Sequence, residues 1–279
     1  MLSDKHQEFY VKFWGTRGSI ACAGSDTLRY GGNTACLEVM CADRRLIFDG
    51  GTGLRKLGRE IAQQGPTEID LFLTHTHLDH IIGLPFFVPF HIPGLNPRLW
   101  AGHLLPDRTL KGTLSEMMQS PLCPVPPETF RAQVEFHDFA CGETLYPSPE
   151  ISLQTAPLNH PNGACGYRIN FDGRSICYIT DTEHYPEGRD PAVVDLVRDA
   201  DIMIYDATYT EEEYPRFVGF GHSTWQEAVR VADAANVKTL VLFHHEPTHT
   251  DDIMDQIAAD VAKVRPGTEV AREGMILRP

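Results

Sequence analysis

The sequence predicts an α/β fold in which two β-sheets pack against each other between outer helices, an αββα sandwich. Three observations carry this prediction. Strand-like segments bounded by glycine-rich turns occur in two series along the chain, each series continues into a helix and a buried strand, and later helical segments can cover the outer faces. With 279 residues, 42% of them hydrophobic, the chain can bury a substantial core. We therefore expect a single domain over residues 1–279.

The first series begins near the N-terminus. β-branched and aromatic residues favour strands at 10–14, 35–40 and 45–48. Residues 54–64 have apolar side chains at helical spacing, and 69–74 is a short apolar run typical of a buried strand. The series therefore predicts a β-meander followed by a helix and a buried strand.

The second series repeats this order. Strands are predicted at 151–156, 166–171, 175–180 and 202–205, with a helix at 191–199 before the last of them. Further along, helices at 224–235 and 253–264 flank a strand at 239–243. The repeated order indicates two similar halves.

The segment from about 85 to 145 interrupts this pattern. It is rich in proline and has one helical stretch, at 110–118. We interpret it as an insertion that covers the active site. Its ring side chains could stack on a substrate, and the candidates are Phe86, Phe87, Phe90, His91, Trp100 and His103.

Composition limits the partners. The formal net charge of −14 argues against a broad nucleic-acid surface, so we expect a small-molecule substrate and consider long nucleic acids unfavoured. The polar N-terminus lacks an apolar signal region, and the most apolar run, 81–90, is too short for a bilayer. Seven scattered cysteines are typical of reduced thiols. These features predict a cytoplasmic protein without membrane contact, and a homodimer stays open.

One motif points to metal chemistry. His75, His77, Asp79 and His80 form H-x-H-x-D-H at the end of the predicted strand 69–74. Imidazole and carboxylate groups are ligands that Zn²⁺ prefers in proteins. Unpaired imidazoles beside the apolar run 81–90 would be costly without a metal. The motif therefore predicts a metal site.

Further motifs extend across nearly the whole chain in a fixed order. They are GTRGS at Gly15, FDGGTG at Phe48, THTHLDH at Thr74, LNHP at Leu158, ITDT at Ile179, DADIMIYDATY at Asp199, GHST at Gly221 and LVLFHHEP at Leu240. In this order the chain resembles the metallo-β-lactamase superfamily, and within it the branch that contains ribonuclease Z and the cyclic phosphodiesterase of the phosphonate pathway. The resemblance implies the metallo-β-lactamase fold and a hydrolase with two divalent metal ions.

The resemblance also implies a ligand set. One ion would be held by His75, His77 and His160, the other by Asp79, His80 and His244, and Asp181 would bridge both. Zn²⁺ is the expected metal, with Mn²⁺ or Fe²⁺ as alternatives. Two ions that share a carboxylate can hold a bridging hydroxide as the nucleophile.

Two assignments within this set leave alternatives. His244 and His245 both follow a predicted strand, and because side chains alternate along a strand only one of them points inward. We choose His244. Asp49 in FDGGTG is expected beneath the metals, where it would orient a ligand imidazole, although a simple turn residue fits its position equally.

The catalytic residues are expected to be His222 and Asp79. The resemblance associates His222 in GHST with phosphodiester cleavage, where an imidazole can contact the phosphate or protonate the leaving alkoxide. Asp206 or another nearby acid would orient it. The alternative is a structural loop residue before a helix that begins at Ser223 and Thr224.

These residues favour a phosphodiesterase for small or cyclic nucleotide-like esters. Carboxyl-type hydrolysis of a lactam, lactone or thioester is the alternative, because the same metals polarise carbonyl groups. A non-hydrolytic ligand-binding or redox role is a further alternative. Only 20 residues separate His160 from Asp181, which leaves no room for the tRNA-binding arm of ribonuclease Z. The N-terminal cysteine cluster of the cyclic phosphodiesterase is also missing.

Overall fold

Two β-sheets packed face to face, with helices on both outer sides, form the fold. The computed structural model describes residues 7–65 and 67–279, and within them it confirms the predicted αββα sandwich. Residues 1–6, which begin the polar N-terminus considered above, lie outside the described residues.

The strands belong to two sheets. In chain order they are β1 Phe9–Gly15, β2 Cys36–Cys41, β3 Arg44–Phe48, β4 Ile69–Leu73, β5 Arg98–Ala101, β6 Glu135–Asp138, β7 Thr144–Ser148, β8 Ile151–Leu158, β9 Ala164–Phe171, β10 Arg174–Ile179, β11 Ile202–Asp206, β12 Thr239–Phe243, β13 Glu269–Val270 and β14 Ile276–Leu277. The strands β1–β6 and β14 form one sheet, and the strands β7–β13 form the other.

Several of the α-helices begin at polar caps. The α-helices are α1 Leu54–Gln64, α2 Leu78–Ile81, α3 Leu110–Met117, α4 Pro191–Leu196, α5 Trp225–Ala234 and α6 Asp251–Val264. The side chains of Thr109, Thr224 and Thr250 each accept a hydrogen bond from a backbone N–H of the first helical turn. Such caps satisfy donors that have no partner inside the helix, which explains where α3, α5 and α6 begin.

The two sheets are built alike. The first has the strand order β14-β1-β2-β3-β4-β5-β6 and the second the order β13-β12-β11-β10-β9-β8-β7. Each sheet has three antiparallel pairings on one side and three parallel pairings on the other. The two similar halves predicted from the repeated order are therefore present as two similar sheets.

Aromatic side chains fill the space between the sheets. Phe48 packs on Phe72, Tyr167 and Tyr178, with ring centroids 5.3–6.1 Å apart. All four side chains are buried, and burial of such large apolar groups is the main contribution to folding. Two further clusters lie under the outer helices, one beneath α4, α5 and α6 and the other beneath α1 and α3. This layered core fixes the strand ends that carry the site.

The segment 85–145 contributes two strands and a helix to the fold. Its strands β5 and β6 extend the first sheet, and its helix α3 packs beside β6. The sequence analysis predicted only the helix, because β5 and β6 are four residues each and carry charged side chains. Short strands of this kind have weak sequence signals.

Two general expectations can be compared with the structure. None of the helices within residues 7–65 and 67–279 is long and apolar enough to cross a membrane. The seven cysteines are free thiols, and four of them are buried. The prediction of reduced, mostly buried thiols agrees with this arrangement.

Candidate metal centre

The histidine motif lies in the turn between β4 and α2. His75 follows β4, and His77 is the residue that precedes α2. Asp79 and His80 lie in the helix itself and are buried. An extended residue followed at once by a helical turn brings all four side chains to one side of the backbone, so the motif converges on a single point.

The other candidate residues also follow strands. Asp49 comes after β3, His160 after β8, Asp181 after β10 and His244 after β12, while Asp206 ends β11. Within each sheet the parallel strands end at the same edge. Residues far apart in the chain therefore meet at the edge where the histidine motif lies, as is usual for sites on parallel strands.

Two groups of donor atoms form the centre, and two further groups combine His222, or His222 and Asp206, with some of the same residues. His75, His77 and His160 make one group, and Asp79, His80, Asp181 and His244 make the other. Within each group the donor atoms lie within 4.8 Å of one another. The structure thus brings together all seven residues that the sequence predicted as metal ligands.

Asp181 lies between the two groups. Its Oδ1 is 3.7 Å from Nε2 of both His75 and His160, and 3.3 Å from Nε2 of His244. Its Oδ2 is 3.2 Å from Nε2 of His80. A single carboxylate can therefore reach donors of both groups, which is the position that a bridging ligand requires.

The donor spacing fits divalent cations. His77 Nδ1 and His160 Nε2 are 3.0 Å apart, and His80 Nε2 and His244 Nε2 are 3.4 Å apart. Ligands at 2.0–2.1 Å from a tetrahedral Zn²⁺ are separated by ~3.3 Å. Nε2 of His75 is buried and has no hydrogen-bond partner among the described residues. The centre thus offers the donor types, the spacing and an unsatisfied nitrogen that a metal ion would use.

Each imidazole is held by its other nitrogen. Nδ1 is the supported nitrogen in four of the rings: His75 contacts Thr74 Oγ1 at 3.1 Å, and His80 contacts Asp49 Oδ2 at 2.8 Å. In the same way, His160 contacts the Gly221 carbonyl at 2.8 Å, and His244 contacts Thr208 Oγ1 at 3.0 Å. In His77 the supported nitrogen is Nε2, which lies 3.3 Å from Asn162 Oδ1. Hydrogen bonds of this kind fix the tautomer and orientation of ligand histidines. The remaining nitrogen of each ring faces the centre.

Asp49 connects several of these supports. Its carboxylate accepts hydrogen bonds from the Thr74 backbone N–H at 2.8 Å, from the Thr74 hydroxyl and from the Tyr178 hydroxyl at 2.9 Å, and it also contacts His80. Its side chain is fully buried. The structure thus places Asp49 beneath the metal centre as a shared acceptor, in agreement with the first of its two interpretations.

Charge and burial set the protonation states. Burial lowers the pKa of His75 well below its usual range, so this imidazole is neutral, which is the form that binds metal. Burial alone would raise the pKa of Asp181, but His244 and His80 beside it hold the pKa well below the usual range. Asp181 is therefore an anion. Both groups are in the state that metal binding needs.

His222 lies against both groups. Its ring stacks on His244 with centroids 4.8 Å apart, and it is 5.3 Å from the ring of His160. Its Nδ1 donates to Asp206 Oδ2 at 2.9 Å. Burial lowers the pKa of His222, but the Asp206 carboxylate outweighs it and raises the pKa to about 9. Asp206 is therefore the acid that orients His222.

The two adjacent histidines separate as expected. Nε2 of His244 lies 3.3 Å from Asp79 Oδ2. His245 instead directs Nε2 to the Ala271 carbonyl at 2.8 Å and is buried next to Tyr30. The alternation of side chains after β12 thus directs His244, and not His245, to the centre.

The GTRGS motif packs against the centre without supplying a ligand. The Ser19 backbone N–H donates to Asp79 Oδ2 at 2.8 Å. Arg17 is buried and donates to the carbonyls of Gly31, Glu246 and His249, which ties this loop to the segment after β12. Gly18 faces the imidazole of His244, where a side chain would overlap the ring.

We expect Gly18→Ala to displace His244. Because the added methyl group overlaps the ring, the imidazole must shift by an appreciable fraction of an ångström, and misplacement of about 1 Å can reduce turnover by about 10²-fold. Metal content per chain, measured by mass spectrometry, should fall. Gly24→Ala in the same loop is the matched control, since its methyl group meets only the flexible end of Asp26. Unchanged metal content in Gly18→Ala would contradict the packing described.

Sequence reasoning missed one residue that organises the site. The carboxylate of Glu183 accepts hydrogen bonds from the backbone N–H groups of Gly219 and Gly221, both at 2.8 Å, and from the Tyr214 hydroxyl. It therefore fixes the loop whose Gly221 carbonyl holds His160. The sequence has no local signal for this role, because Glu183 acts through a loop that is distant in sequence.

Most of the ring side chains predicted to stack on a substrate are not in the site. Phe87 and Phe90 belong to the core beneath α1, Trp100 packs between Phe72 and His137, and His91 packs against Phe130. Phe86 is exposed, and His103 lies next to the centre, with its ring 6.5 Å from that of His75. The ring side chains of the segment 85–145 therefore indicate mainly core packing and not substrate stacking.

Comparison with known proteins identifies the family of this chain. The family model for the beta-lactamase superfamily domain matches residues 44–245, more than half of the chain. A ribonuclease Z of Myxococcus xanthus is 24% identical, with 87% of this chain and 91% of that protein covered.

Two solved structures show the same fold. Zn²⁺-bound PqqB from Methylobacterium extorquens superposes with a TM-score of 0.73 at 17% identity, over 97% of this chain and 100% of that one. Human tRNase Z, short form, superposes with a TM-score of 0.66 at 20% identity, over 96% of this chain and 98% of that one. The chain therefore belongs to the beta-lactamase superfamily and is a hydrolase with the metallo-β-lactamase fold.

Proposed function

We propose that this chain is a dinuclear metal-dependent phosphodiesterase that acts as a single domain on small phosphodiesters. The observation that carries the proposal is the position of His222, which is held by Asp206 and lies against both donor groups. A hydrolase that used only the metals would not need a further oriented imidazole at this point.

The proposed ligands divide between two ions. His75, His77 and His160 would hold one, Asp79, His80 and His244 the other, and Asp181 would contact both. Bound divalent ions, most simply Zn²⁺, supply an activated water and polarise the phosphoryl oxygen. Asp79 lies 3.2 Å from His80, and its Oδ2 is held by the Ser19 N–H, so the protein fixes the carboxylate that faces the reacting group.

His222 is proposed to move a proton. Its Nδ1–H donates to Asp206, and its Nε2 makes no hydrogen bond to the described residues. That nitrogen is thus available to donate to a phosphate oxygen or to the departing alkoxide, which general acid catalysis requires. Asp206 is a positioning residue, and its second oxygen accepts from the Thr208 hydroxyl that also supports His244.

The chain's own features favour a small substrate. The stretch between His160 and Asp181 consists of the hairpin β9–β10, so it carries no arm that could grip a folded RNA. The net charge of −14 opposes the approach of a long polyanion. Relatives named ribonuclease Z make a tRNA precursor the natural competing substrate, and it belongs in the test.

The test compares substrates with protein of known metal content. We expect turnover of bis-p-nitrophenyl phosphate and of a 2′,3′- or 3′,5′-cyclic nucleotide, with no cleavage of nitrocefin or a tRNA precursor. Asp181→Asn should be inactive, because it removes the charge shared by both ions. Cleavage of nitrocefin alone would assign carboxyl-type hydrolysis. Cleavage of the tRNA precursor alone would assign a nuclease, and no turnover with two ions bound would contradict a hydrolytic role.

A further inference from the structure

A cavity of about 500 Å³ opens directly beside the metal centre. One wall is formed by Thr76 and His77 of the histidine motif and by Asn162, which follows His160. The opposite wall is formed by the segment 103–113, with His103, Asp107 and Arg108. Because His77 belongs to both the cavity and the metal centre, a molecule held at the metals can extend into this space.

Hydrogen bonds fix the two walls relative to the centre. Nε2 of His103 lies 3.1 Å from Thr76 Oγ1, which joins the insertion to the histidine motif. Asn162 Oδ1 lies 3.3 Å from Nε2 of His77. The Arg108 backbone N–H donates to the Leu104 carbonyl at 2.9 Å, so the chain turns back at this point. The cavity is therefore a built feature of the fold.

The charged groups of the cavity identify its ligand. Arg108 donates one guanidinium N–H to Glu116 at 2.7 Å, and its other donors make no hydrogen bond to the described residues. Asp107 lies next to it in the chain and is exposed. Asp107, Arg108 and Glu116 together carry a net negative charge, which disfavours a second phosphate. A carboxylate beside a guanidinium instead suits a neutral ring with both N–H donors and carbonyl acceptors.

We propose that this cavity binds the nucleobase of a nucleotide ester whose phosphorus lies at the metal centre. A nucleobase can donate to Asp107 and accept from Arg108, and its flat faces can lie against Leu104 and the imidazole of His103, which line the same cavity. Pockets for small ligands have volumes of about 300–1,000 Å³, so this one is large enough. The inference rests on the proposed phosphodiesterase function and names the part of the substrate that gives selectivity.

The test measures kcat/KM for two esters with the same leaving group. Thymidine 5′-(p-nitrophenyl phosphate) carries a nucleoside, and methyl p-nitrophenyl phosphate does not. We expect Arg108→Ala and Asp107→Ala each to lower kcat/KM for the thymidine ester by about 10-fold and to leave the methyl ester unchanged. Lys111→Ala, on the exposed face of α3, is the matched control and should change neither. Hydrolysis of both esters with the ratio unchanged in both variants would overturn the inference.

A binding measurement separates this inference from the proposed function. If the metal-loaded protein hydrolyses neither ester, the phosphodiesterase proposal fails. Calorimetric titration with thymidine 5′-monophosphate then decides about the cavity. Binding that is about 10-fold weaker in Arg108→Ala than in the Lys111→Ala control would support the nucleobase site, whereas equal affinity, or no binding to either protein, would overturn it.

Discussion

Replacing His222 by alanine is expected to lower kcat for phosphodiesters by about 10²–10⁴-fold, the range contributed by a positioned acid or base. The reason is that His222 is the oriented imidazole beside both donor groups. Because His222 is not among the proposed ligands, metal content should stay at two ions per chain. Steady-state kinetics and metal analysis of the same preparation measure both quantities.

A neighbouring histidine provides the control for this change. His184 Nδ1 lies within hydrogen-bond distance of Ser223 Oγ, at 3.0 Å, and His184 belongs to neither donor group. We expect His184→Ala to retain most activity. If His222→Ala also retained full activity towards phosphodiesters, His222 would have only the structural role of a loop residue before α5. Loss of metal in His222→Ala would instead show that it acts as a ligand.

Replacing Asp49 by asparagine is expected to weaken metal binding by about 10–100-fold, as for other partners that orient ligand histidines. An amide places N–H donors where Thr74, Tyr178 and His80 already donate. One unsatisfied buried donor costs about 1–3 kcal/mol, so the free energy of unfolding of the metal-free protein should fall by that amount. Metal titration and urea unfolding measure the two effects.

The exposed aspartate nearest in sequence is the matched control. Asp43 lies in the turn between β2 and β3 and is exposed, so Asp43→Asn should change neither metal affinity nor unfolding. Equal affinity in Asp49→Asn and Asp43→Asn would mean that Asp49 does not orient His80. Loss of stability without loss of affinity would mean that it serves only the core.

The site could be predicted because its signals are local. His75, His77, Asp79 and His80 are close in sequence, and a strand followed by a helical turn is enough to make them converge. His160, Asp181 and His244 were predicted from the resemblance of their motifs to the metallo-β-lactamase superfamily, and each of them follows a strand with a strong apolar pattern. Whether these residues bind metal stays a prediction until it is measured.

Other parts of the structure have no comparable local signal. The strands β5 and β6 are short and carry charged residues, and they form strands because they pair with neighbours distant in sequence. The short strand β7 lies at the edge of the second sheet and pairs with the next strand along the chain, β8. Glu183 and Asn162 act through hydrogen bonds to loops that fold back on the site. Such contacts depend on tertiary structure, so residue type and spacing do not reveal them.

The most direct test of the central claim is calorimetric titration of metal-free protein with Zn²⁺, with phosphodiester hydrolysis assayed at each point. The account predicts two ions per chain, and activity that reaches its maximum only when both are bound, because Asp181 lies between the two donor groups. Saturation at one ion per chain, or full activity in the metal-free protein, would contradict it.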